Sequence, residues 1–525
     1  MLSHSELKES LANLSPKIKE LMTIAGTAGV SLGVLHHGEI VHCANFGFRD
    51  VDANLSVDEE TIFPIGSLTA AIVSATIALL VEERLLTWDT KVIDVLPDFQ
   101  PQDEVLRNLT TITDVLSHRT GMARSIASQS SDLIKKEDSL AFLKRPEGGS
   151  TISLVIEKIT GKRWDEVMHE KILKPLGLHR TSATAEAGDA NTTKTYAALD
   201  ESIPVEITSD RVGADTFGGA ESGMRSCVKD LLRLYNELME AWGEQLHNED
   251  TSTQGSPFKQ VCQLMLAKIP IEEMYCLHER SHALGWTRTQ TPGPVGGTGL
   301  HSQLMRGYMP FVGRNSTPRL ILSHQGYQSR FFGAVNLLPE TPSAIVVLTN
   351  TSALNDCADW VGQLILETLM NVEEPQVCME WARDSAAHAL TWHTRLKREL
   401  EKHRIPNTSP RDLEQYVGTY INKTELIKLV VTHEGTNEKA CLYFALQGLE
   451  LEKYSLKHYH NDVFVWLQPR EELARRGKAT VQESSYYKIR FEASDGGAID
   501  RLRWSHSPDI PEGETFYKVR AGTVS

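Results

Sequence analysis

The sequence predicts an α/β (α+β) protein, in which a first domain of strands and helices is followed by a C-terminal antiparallel β-barrel. Three observations predict this class. Strand patterns open and close the first 375 residues, a buried helix follows the opening strands, and the last 115 or so residues read as β-structure throughout. A chain of 525 residues is also too long for one ordinary domain. We therefore expect a first domain at 1–375, a helical connector at 376–409 and a barrel at 410–525.

The opening elements follow from apolar spacing. Residues 1–20 carry leucines and an isoleucine at helical intervals, which predicts one amphipathic helix. The runs 29–34 and 39–48, separated by His36-His37-Gly38, predict a β-hairpin. The apolar run 71–81 predicts a buried helix, because about 14 residues counted from Leu68 are too few to span a bilayer.

The later elements are read in the same way. Residues 332–338 and 344–350 are apolar runs joined by a Pro-Glu-Thr-Pro turn, so they predict two paired strands that close the sheet. Residues 376–403 are charged with apolar residues at helical spacing. The barrel strands are predicted at the aromatic and β-branched runs 427–432, 441–446, 463–467, 486–491 and 502–504.

Composition and charge exclude several classes of function. A formal net charge of −15 argues against nonspecific binding to nucleic acid or to an anionic membrane surface, so neither partner is expected. The N-terminus has no signal-peptide pattern. Seven scattered cysteines, never in C-x-x-C spacing, predict reduced core thiols of a cytoplasmic protein. No metal-ligand cluster and no cofactor motif is present in the sequence, and it does not indicate an oligomeric state.

The stretch that carries the chemistry is residues 63–70, FPIGSLTA, which precedes the buried helix. A Gly-Ser turn at a helix start places the hydroxyl of Ser67 where free N–H groups and the helix dipole favour developing negative charge. The stretch resembles the F-x-I-G-S-x-T-K segment of the serine β-lactamase and penicillin-binding-protein family, including its esterases, D-aminopeptidases and transesterases. In that family, Ser-x-x-Lys is the catalytic pair.

Further motifs extend the resemblance over about residues 15–370. Residues 113–121 (TDVLSHRTG) resemble a packing signature of the family, residues 154–161 (LVIEKITG) one of its helices, and residues 323–327 (SHQGY) its third motif. The resemblance implies the β-lactamase/transpeptidase-like fold, in which an antiparallel sheet is flanked by helices and carries a helical lobe. The string YVGTY at 416–420 resembles the start of the lipocalin-like C-terminal domain that several family members carry.

Two departures from the family pattern bear on activity. The lysine of Ser-x-x-Lys is replaced by Ala70, and nothing aligns with the family's Tyr-x-Asn motif, since the first tyrosine of the chain is Tyr196. The segment before the 154–161 helix also looks shortened. An engineered substitution would explain Ala70 but not the shortened segment.

The resemblance implies roles for particular residues. Ser67 is the expected nucleophile, the main-chain N–H groups of Ser67 and Tyr327 the expected oxyanion hole, and Gln325 and Gly326 expected binding residues. A serine hydroxyl needs a base, and His324 is the first candidate to replace the lysine. The alternatives are Lys135, Lys136 and Lys144, which as loop lysines are ordinarily solvated. His118 is interpreted as structural, and Ser67 as a simple helix N-cap is the competing interpretation.

Two functions remain open at this point. The first is a serine-dependent acyl hydrolase or transesterase that acts on a small ester, amide or thioester, in the manner of intracellular relatives in secondary metabolism, with activity impaired by Ala70 and the missing tyrosine. The second is a pseudoenzyme that keeps the cleft and binds an acyl ligand or a partner protein without turnover. The fold alone does not choose between them.

Overall fold

The computed structural model describes residues 3–101, 103–121, 148–184, 189–208, 212–216, 218–271, 278–299, 301–328, 331–373, 378–423, 425, 427–435, 440–478, 481–507 and 510–519. In this part of the chain, nine strands form one antiparallel sheet in the order β3-β2-β1-β13-β12-β11-β10-β9-β8. These strands are β1 (Gly29–His36), β2 (Glu39–Asp50), β3 (Leu55–Ser56), β8 (Ile269–Pro270), β9 (Arg280–His282), β10 (Thr287–Gln290), β11 (Leu320–Gln328), β12 (Phe331–Leu338) and β13 (Ser343–Thr349).

Five short strands of the described chain lie outside both this sheet and the C-terminal barrel: β4 (Phe63–Pro64) pairs with β7 (Arg225–Ser226), and β5 (Thr195–Ala198) joins β6 (Pro204–Ile207) and β14 (Thr351–Ser352). Both hairpins predicted from the sequence are present: β1 pairs with β2, and β12 with β13. The opening and closing strands then pair with each other, β1 against β13.

The described helices are α1 (His4–Ala12), α2 (Ser15–Ala25), α3 (Thr69–Glu82), α4 (Val92–Val95), α5 (Glu104–Leu109), α6 (Ile112–Leu116), α7 (Gly148–Thr160), α8 (Trp164–Met168), α9 (Lys174–Leu176), α10 (Gly219–Ser222), α11 (Val228–Asn248), α12 (Val261–Met265), α13 (His301–Leu304), α14 (Cys357–Leu369), α15 (Cys378–Lys402) and α16 (Arg470–Arg475). The expectation of a single N-terminal helix was wrong. A second helix begins at Ser15, because Pro16 has no N–H to continue the first one and is well suited to an N-terminal position.

The sheet separates two hydrophobic layers. Alternate residues of β13 show this directly, since Val346 and Leu348 belong to one layer whereas Ile345 and Val347 belong to the other. The first layer is covered by α3, α11 and the helical lobe, and the second by α1, α2 and α14. Helix α3 is buried almost all round, as its continuous apolar run predicted.

Eight strands in the described C-terminal part form the closed barrel: β15 (Gly418–Asn422), β16 (Lys428–Glu434), β17 (Cys441–Leu446), β18 (Lys453–His460), β19 (Val463–Val465), β20 (Lys488–Ala493), β21 (Ile499–Trp504) and β22 (Glu514–Lys518). Its interior is filled by aromatic side chains, among them Tyr420, Phe444, Trp466 and Trp504. The predicted runs correspond to five of these strands. Three were not among the runs: β15, which overlaps the YVGTY string, the largely polar β18 and the short β22.

Helix α15 belongs to two hydrophobic cores. Near its start, Cys378 and Ala382 pack in the second hydrophobic layer, which α1, α2 and α14 cover. Towards its end, Trp392, Leu396 and Leu400 pack in the core of the barrel. The helix therefore joins the two parts of the chain by packing in both of their cores.

Candidate functional site

Ser67 lies at the start of the buried helix. Residues 66–68 form a 3₁₀ turn that leads directly into α3. The side chain is half-buried, and its Oγ donates a 3.4 Å hydrogen bond to the main-chain carbonyl of Tyr327 on β11. The structure thus brings together the two residues that the sequence assigned to the nucleophile and the oxyanion hole.

Two glycines allow this close approach. Gly66 has a φ of +53°, and a Cβ there would lie 3.3 Å from the carbonyl group of Tyr327. Gly326 lies in regular strand, but a Cβ there would stand only 2.5 Å from the carbonyl oxygen of Ile65. The main chain of residues 65–67 therefore packs directly against that of residues 326–327, and this contact requires glycine at both 66 and 326.

A second set of contacts holds the serine turn from the other side. Thr69 Oγ1 donates to the Gly66 carbonyl at 2.6 Å and accepts from the Met224 N–H at 3.2 Å. The Met224 carbonyl accepts from the Ile65 N–H at 3.0 Å. Met224 follows the short helix α10, so the GGAESGM segment at 218–224 acts here as a support for the Ser67 turn.

His324 is held in one orientation and one tautomer. Its Nδ1 lies 2.6 Å from the carbonyl oxygen of Gly285, which can only accept, so Nδ1 carries the proton and Nε2 is the ring nitrogen that can receive one. The ring also packs edge-on to Trp286. Burial lowers the pKa of His324 to about 4, so the imidazole is neutral at pH 7.

Gly285 connects His324 with the nucleophile helix. It has a φ of +80°, and a Cβ there would lie 2.7 Å from Ser74 Oγ and 3.2 Å from the Ala70 carbonyl oxygen. Its N–H donates to the Leu116 carbonyl at 3.1 Å. The turn between β9 and β10 is therefore wedged between α3, the LSHRTG segment and β11.

His118 sits in this same neighbourhood but packs against another histidine. Its ring lies 5.6 Å from that of His282, edge to face. Burial, together with the nearby His118, lowers the pKa of His282 to about 4. The arrangement fits the structural interpretation of His118, which stays a prediction.

The lysine position is confirmed to offer no base, because Ala70 presents only a methyl group one turn after Ser67. The Ser67 Oγ donates instead to a carbonyl oxygen, which accepts a hydrogen bond but cannot take a proton at neutral pH. Lys135, Lys136 and Lys144 lie outside the described residues, as does most of the shortened segment.

Gln325 does not face Ser67. Successive side chains on a strand alternate, so Gln325 points to the face opposite to that of His324 and Gly326. There its carboxamide lies against Gly299, where a Cβ would overlap it. Its assignment as a binding residue remains a prediction, and the geometry gives it a supporting place behind the strand.

The described residues contain no group of three or more His, Cys, Asp or Glu side chains that could hold a metal ion. None of the helices described is both long and apolar enough to cross a membrane. Six cysteines are described and all are free thiols. Cys227, Cys357 and Cys378 are buried as predicted, but Cys43 is exposed and Cys262 and Cys441 are half-buried, so the expectation that all lie in the core was wrong.

Comparison with known families decides the relationship. The model of the Beta-lactamase family matches residues 14–369, which is more than half of the chain. The chain belongs to the Beta-lactamase family. The resemblance inferred from FPIGS, LSHRTG and SHQGY is thereby confirmed. A second model, a domain of unknown function named DUF3471, matches residues 402–518 and so covers the barrel.

Individual relatives of this Beta-lactamase family protein match over limited stretches. It is 25% identical to Penicillin-binding protein 4 of Amycolatopsis lactamdurans over 33% of this chain and 50% of that protein. It is 32% identical to the unguisins hydrolase ungD' of Aspergillus campestris over 26% of this chain and 30% of that protein. It is 33% identical to Esterase EstB of Burkholderia gladioli over 17% of this chain and 23% of that protein. The chain thus spans half or less of the length of each of these relatives.

Among solved structures, an octameric penicillin-binding protein homologue from Pyrococcus abyssi matches 96% of this chain and 99% of its own, with a TM-score of 0.53 and 18% identity. At that identity the match shows the fold alone. It extends over both the sheet domain and the barrel, so this Beta-lactamase family protein shares the whole two-part architecture with that structure.

The sequence did not reveal Gly285 and Trp286 as supports of the candidate site. The available signal was a lone Gly-Trp pair between two short polar strands, 280–282 and 287–290. Nor did it reveal the role of Thr69 in bridging Gly66 and Met224, which depends on contacts between segments 155 residues apart.

Proposed function

We propose that this protein is a serine-dependent acyl hydrolase or transesterase of the β-lactamase type, with Ser67 as nucleophile and a small ester, amide or thioester as substrate. The observation that carries the proposal is the Ser67 turn packed on residues 326–327 through two glycines that no other residue type could replace without displacement. A serine that merely capped a helix would not need this approach to a strand.

The developing oxyanion would be bound by the main-chain N–H groups of Ser67 and Tyr327. Backbone donors do not depend on side chains, so the loss of the lysine at position 70 leaves them in place. The helix start behind Ser67 adds its partial positive charge. The relatives include a hydrolase, an esterase and a penicillin-binding protein, and their names support acyl chemistry.

His324 is the group we propose as general base. It presents a neutral imidazole whose Nε2 can receive a proton, but with a pKa of about 4 it is a weak base. Efficiency of proton transfer follows base strength. We therefore expect slow acylation, best with substrates whose leaving groups need no proton, since no tyrosine precedes Tyr196 to protonate one.

The alternative function is a pseudoenzyme that binds an acyl ligand or a partner protein. It is favoured by one specific observation, the hydrogen bond of Ser67 to a carbonyl and not to a base. Such a protein would keep the cleft and the main-chain donors, and would bind a carbonyl compound without forming an ester.

The test is the intact mass of the protein after incubation with a fluorophosphonate. We expect one adduct, mapped to Ser67 by peptide sequencing and absent from Ser67→Ala. Ser74→Ala is the matched control, because Ser74 lies on the same helix and is 1% exposed, and it should label like the native protein. An unlabelled native protein that still binds a non-hydrolysable acyl analogue would favour the pseudoenzyme, and labelling of Ser67→Ala would refute the site.

A further inference from the structure

On the face of the sheet opposite to Ser67 lies a buried histidine–carboxylate pair. His301 and Asp359 are 0% and 2% exposed, and His301 Nδ1 donates to Asp359 Oδ2 at 2.5 Å. Gln363 Nε2 donates to the same oxygen at 2.6 Å, and Trp360 packs edge-on against the imidazole. A carboxylate this far from water is retained only where partners satisfy it.

The pair is in direct contact with a glycine-rich segment, residues 293–299. Gly296 has a φ of +82°, and a Cβ there would overlap the Asp359 carboxylate. Gln363, besides bonding Asp359, donates to the Val295 carbonyl at 3.1 Å. The segment therefore follows the surface of the pair closely, and its backbone path depends on where the Asp359 carboxylate stands.

The other side of this segment lies against the third motif. A Cβ on Gly299 would overlap the carboxamide of Gln325. Thr298 Oγ1 lies 3.1 Å from Thr287 Oγ1, at the end of β10. Ser302 Oγ donates to the Gly299 carbonyl at 2.9 Å, which ties the segment to the turn of helix that carries His301.

The contact between Gly299 and Gln325 occurs where β11 is no longer paired with β10. The pairing of β10 with β11 ends at Thr287 and Ser323. Beyond that point β11 continues through residues 324–328, paired on its other side with β12. The glycine-rich segment packs against Gln325 in this stretch, two residues before the Tyr327 main chain that receives the Ser67 hydrogen bond.

We propose that His301 and Asp359 are positioning residues of the candidate acylation site: they fix the glycine-rich segment, which holds Gln325 and thereby the main chain of residues 325–327 against the Ser67 turn. This inference rests on the proposed function of Ser67. Neither residue touches the reacting atoms. Their effect passes through two contacts, Asp359 to Gly296 and Gly299 to Gln325.

The experiment compares two substitutions of the same histidine. His301→Leu keeps the volume and removes the donor, whereas His301→Asn keeps a donor close to the position of Nδ1. Two readouts are taken from the full-length protein: the rate constant for fluorophosphonate labelling of Ser67, per folded molecule, and amide hydrogen exchange in the peptide that spans 320–328. The second readout needs no activity.

We expect His301→Leu to slow labelling by about tenfold or more, since misplacement by about 1 Å costs up to about 100-fold. It should also speed exchange at 324–328, and His301→Asn should recover most of both. The matched control is His506→Leu, which breaks another buried histidine–carboxylate pair, with Glu514 at 2.8 Å, inside the barrel. It should change neither readout.

The inference is overturned if His301→Leu labels and exchanges like the native protein, or if His506→Leu has equal effects. An unlabelled native protein would refute the proposed function alone, and exchange at 324–328 would still decide the positioning role. Should His301→Leu fail to fold, Gly299→Ala replaces it, because it keeps the pair and disturbs only Gln325. Its control is Gly307→Ala, where a Cβ meets nothing within 4 Å; equal labelling of these two variants refutes the inference.

Discussion

The pair Gly326 and Gly333 offers the sharpest test of how the site is assembled. The two glycines face each other across β11 and β12. A Cβ on Gly326 would stand 2.5 Å from the carbonyl oxygen of Ile65 and 3.0 Å from Leu68 Cγ. A Cβ on Gly333 would meet Leu68 Cδ1 at 3.4 Å and Leu348 Cδ2 at 3.5 Å, which is ordinary contact. The same added methyl group therefore has two different consequences on neighbouring strands.

The magnitude follows from these distances. To reach ordinary contact at about 3.4 Å, Gly326→Ala must push the Ile65 carbonyl away by about 0.9 Å. Overpacking of this kind costs about 1–3 kcal/mol of stability. Because residues 65–67 move as one turn, Ser67 shifts relative to Tyr327 by a similar distance. A displacement of about 1 Å lowers reaction rates by about 100-fold.

The assay measures both effects in each variant. Gly326→Ala should lower the free energy of unfolding by about 1–3 kcal/mol and slow fluorophosphonate labelling of Ser67 by about 100-fold. Gly333→Ala should label like the native protein and be as stable, or more stable by about 0.5–1 kcal/mol, because alanine is less costly than glycine in a strand. The reasoning is refuted if Gly326→Ala keeps the native labelling rate, or if Gly333→Ala loses activity to the same extent.

Three further predictions concern single titratable or basic groups. Ala70→Lys places an ammonium one turn from Ser67, so it should speed acylation by activated esters and give little gain on amides. The test substrates are p-nitrophenyl esters and a β-lactam. Equal gains on both would mean that a proton donor replaces the missing tyrosine. If His324 is the base, acylation should be constant from about pH 5 to 8 and fall as pH drops through about 4, where the imidazole becomes protonated. His324→Ala should lower the rate by about 10²–10⁴-fold, and a rate that rises with pH up to about 8 in the native protein would instead indicate a different base. Burial and the neighbouring Asp359 raise the pKa of Asp356 from its ordinary 3.8 to about 7. The folded state therefore binds the extra proton, and stability falls as pH rises from about 4 to 7, by at most about 4 kcal/mol. Asp356→Asn, which keeps the oxygen that accepts from the Asp359 N–H, should remove this dependence and be the more stable protein at pH 8; equal slopes of unfolding free energy against pH would contradict the assignment.

Much of the fold could be predicted because local patterns and global structure agree. The apolar run after Ser67 predicted a buried helix, and the structure buries it almost all round. Runs 332–338 and 344–350 have no polar face, which suits strands covered on both sides. Strand β18 was missed because its sequence, KYSLKHYH, is more than half polar or basic and is not a run of aromatic and β-branched residues. A register shift between His458 and His460 also interrupts its alternation.

The candidate site could be predicted only in part. Ser67 and Tyr327 could be proposed as site residues because the motif that contains each is contiguous in the sequence. Gly285 as the partner of His324, and the pairing of His301 with Asp359, could not be identified, since each joins segments about 40–60 residues apart with no motif of their own. The direction in which Gln325 points depends on strand register, which the motif string does not state.

Helix α15 has a consequence for how the molecule unfolds. It is 25 residues long, which corresponds to about 37 Å, and its two ends are buried in different cores. Melting of the barrel would expose Trp392, Leu396 and Leu400, and loss of the sheet domain would expose Cys378 and Ala382. Loss of either core therefore exposes apolar side chains of α15 while the other end of the same helix is still buried in the other core. We therefore expect the unfolding of the two halves to be thermodynamically coupled, and a chain cut at either end of this helix to unfold less cooperatively because it loses part of a core.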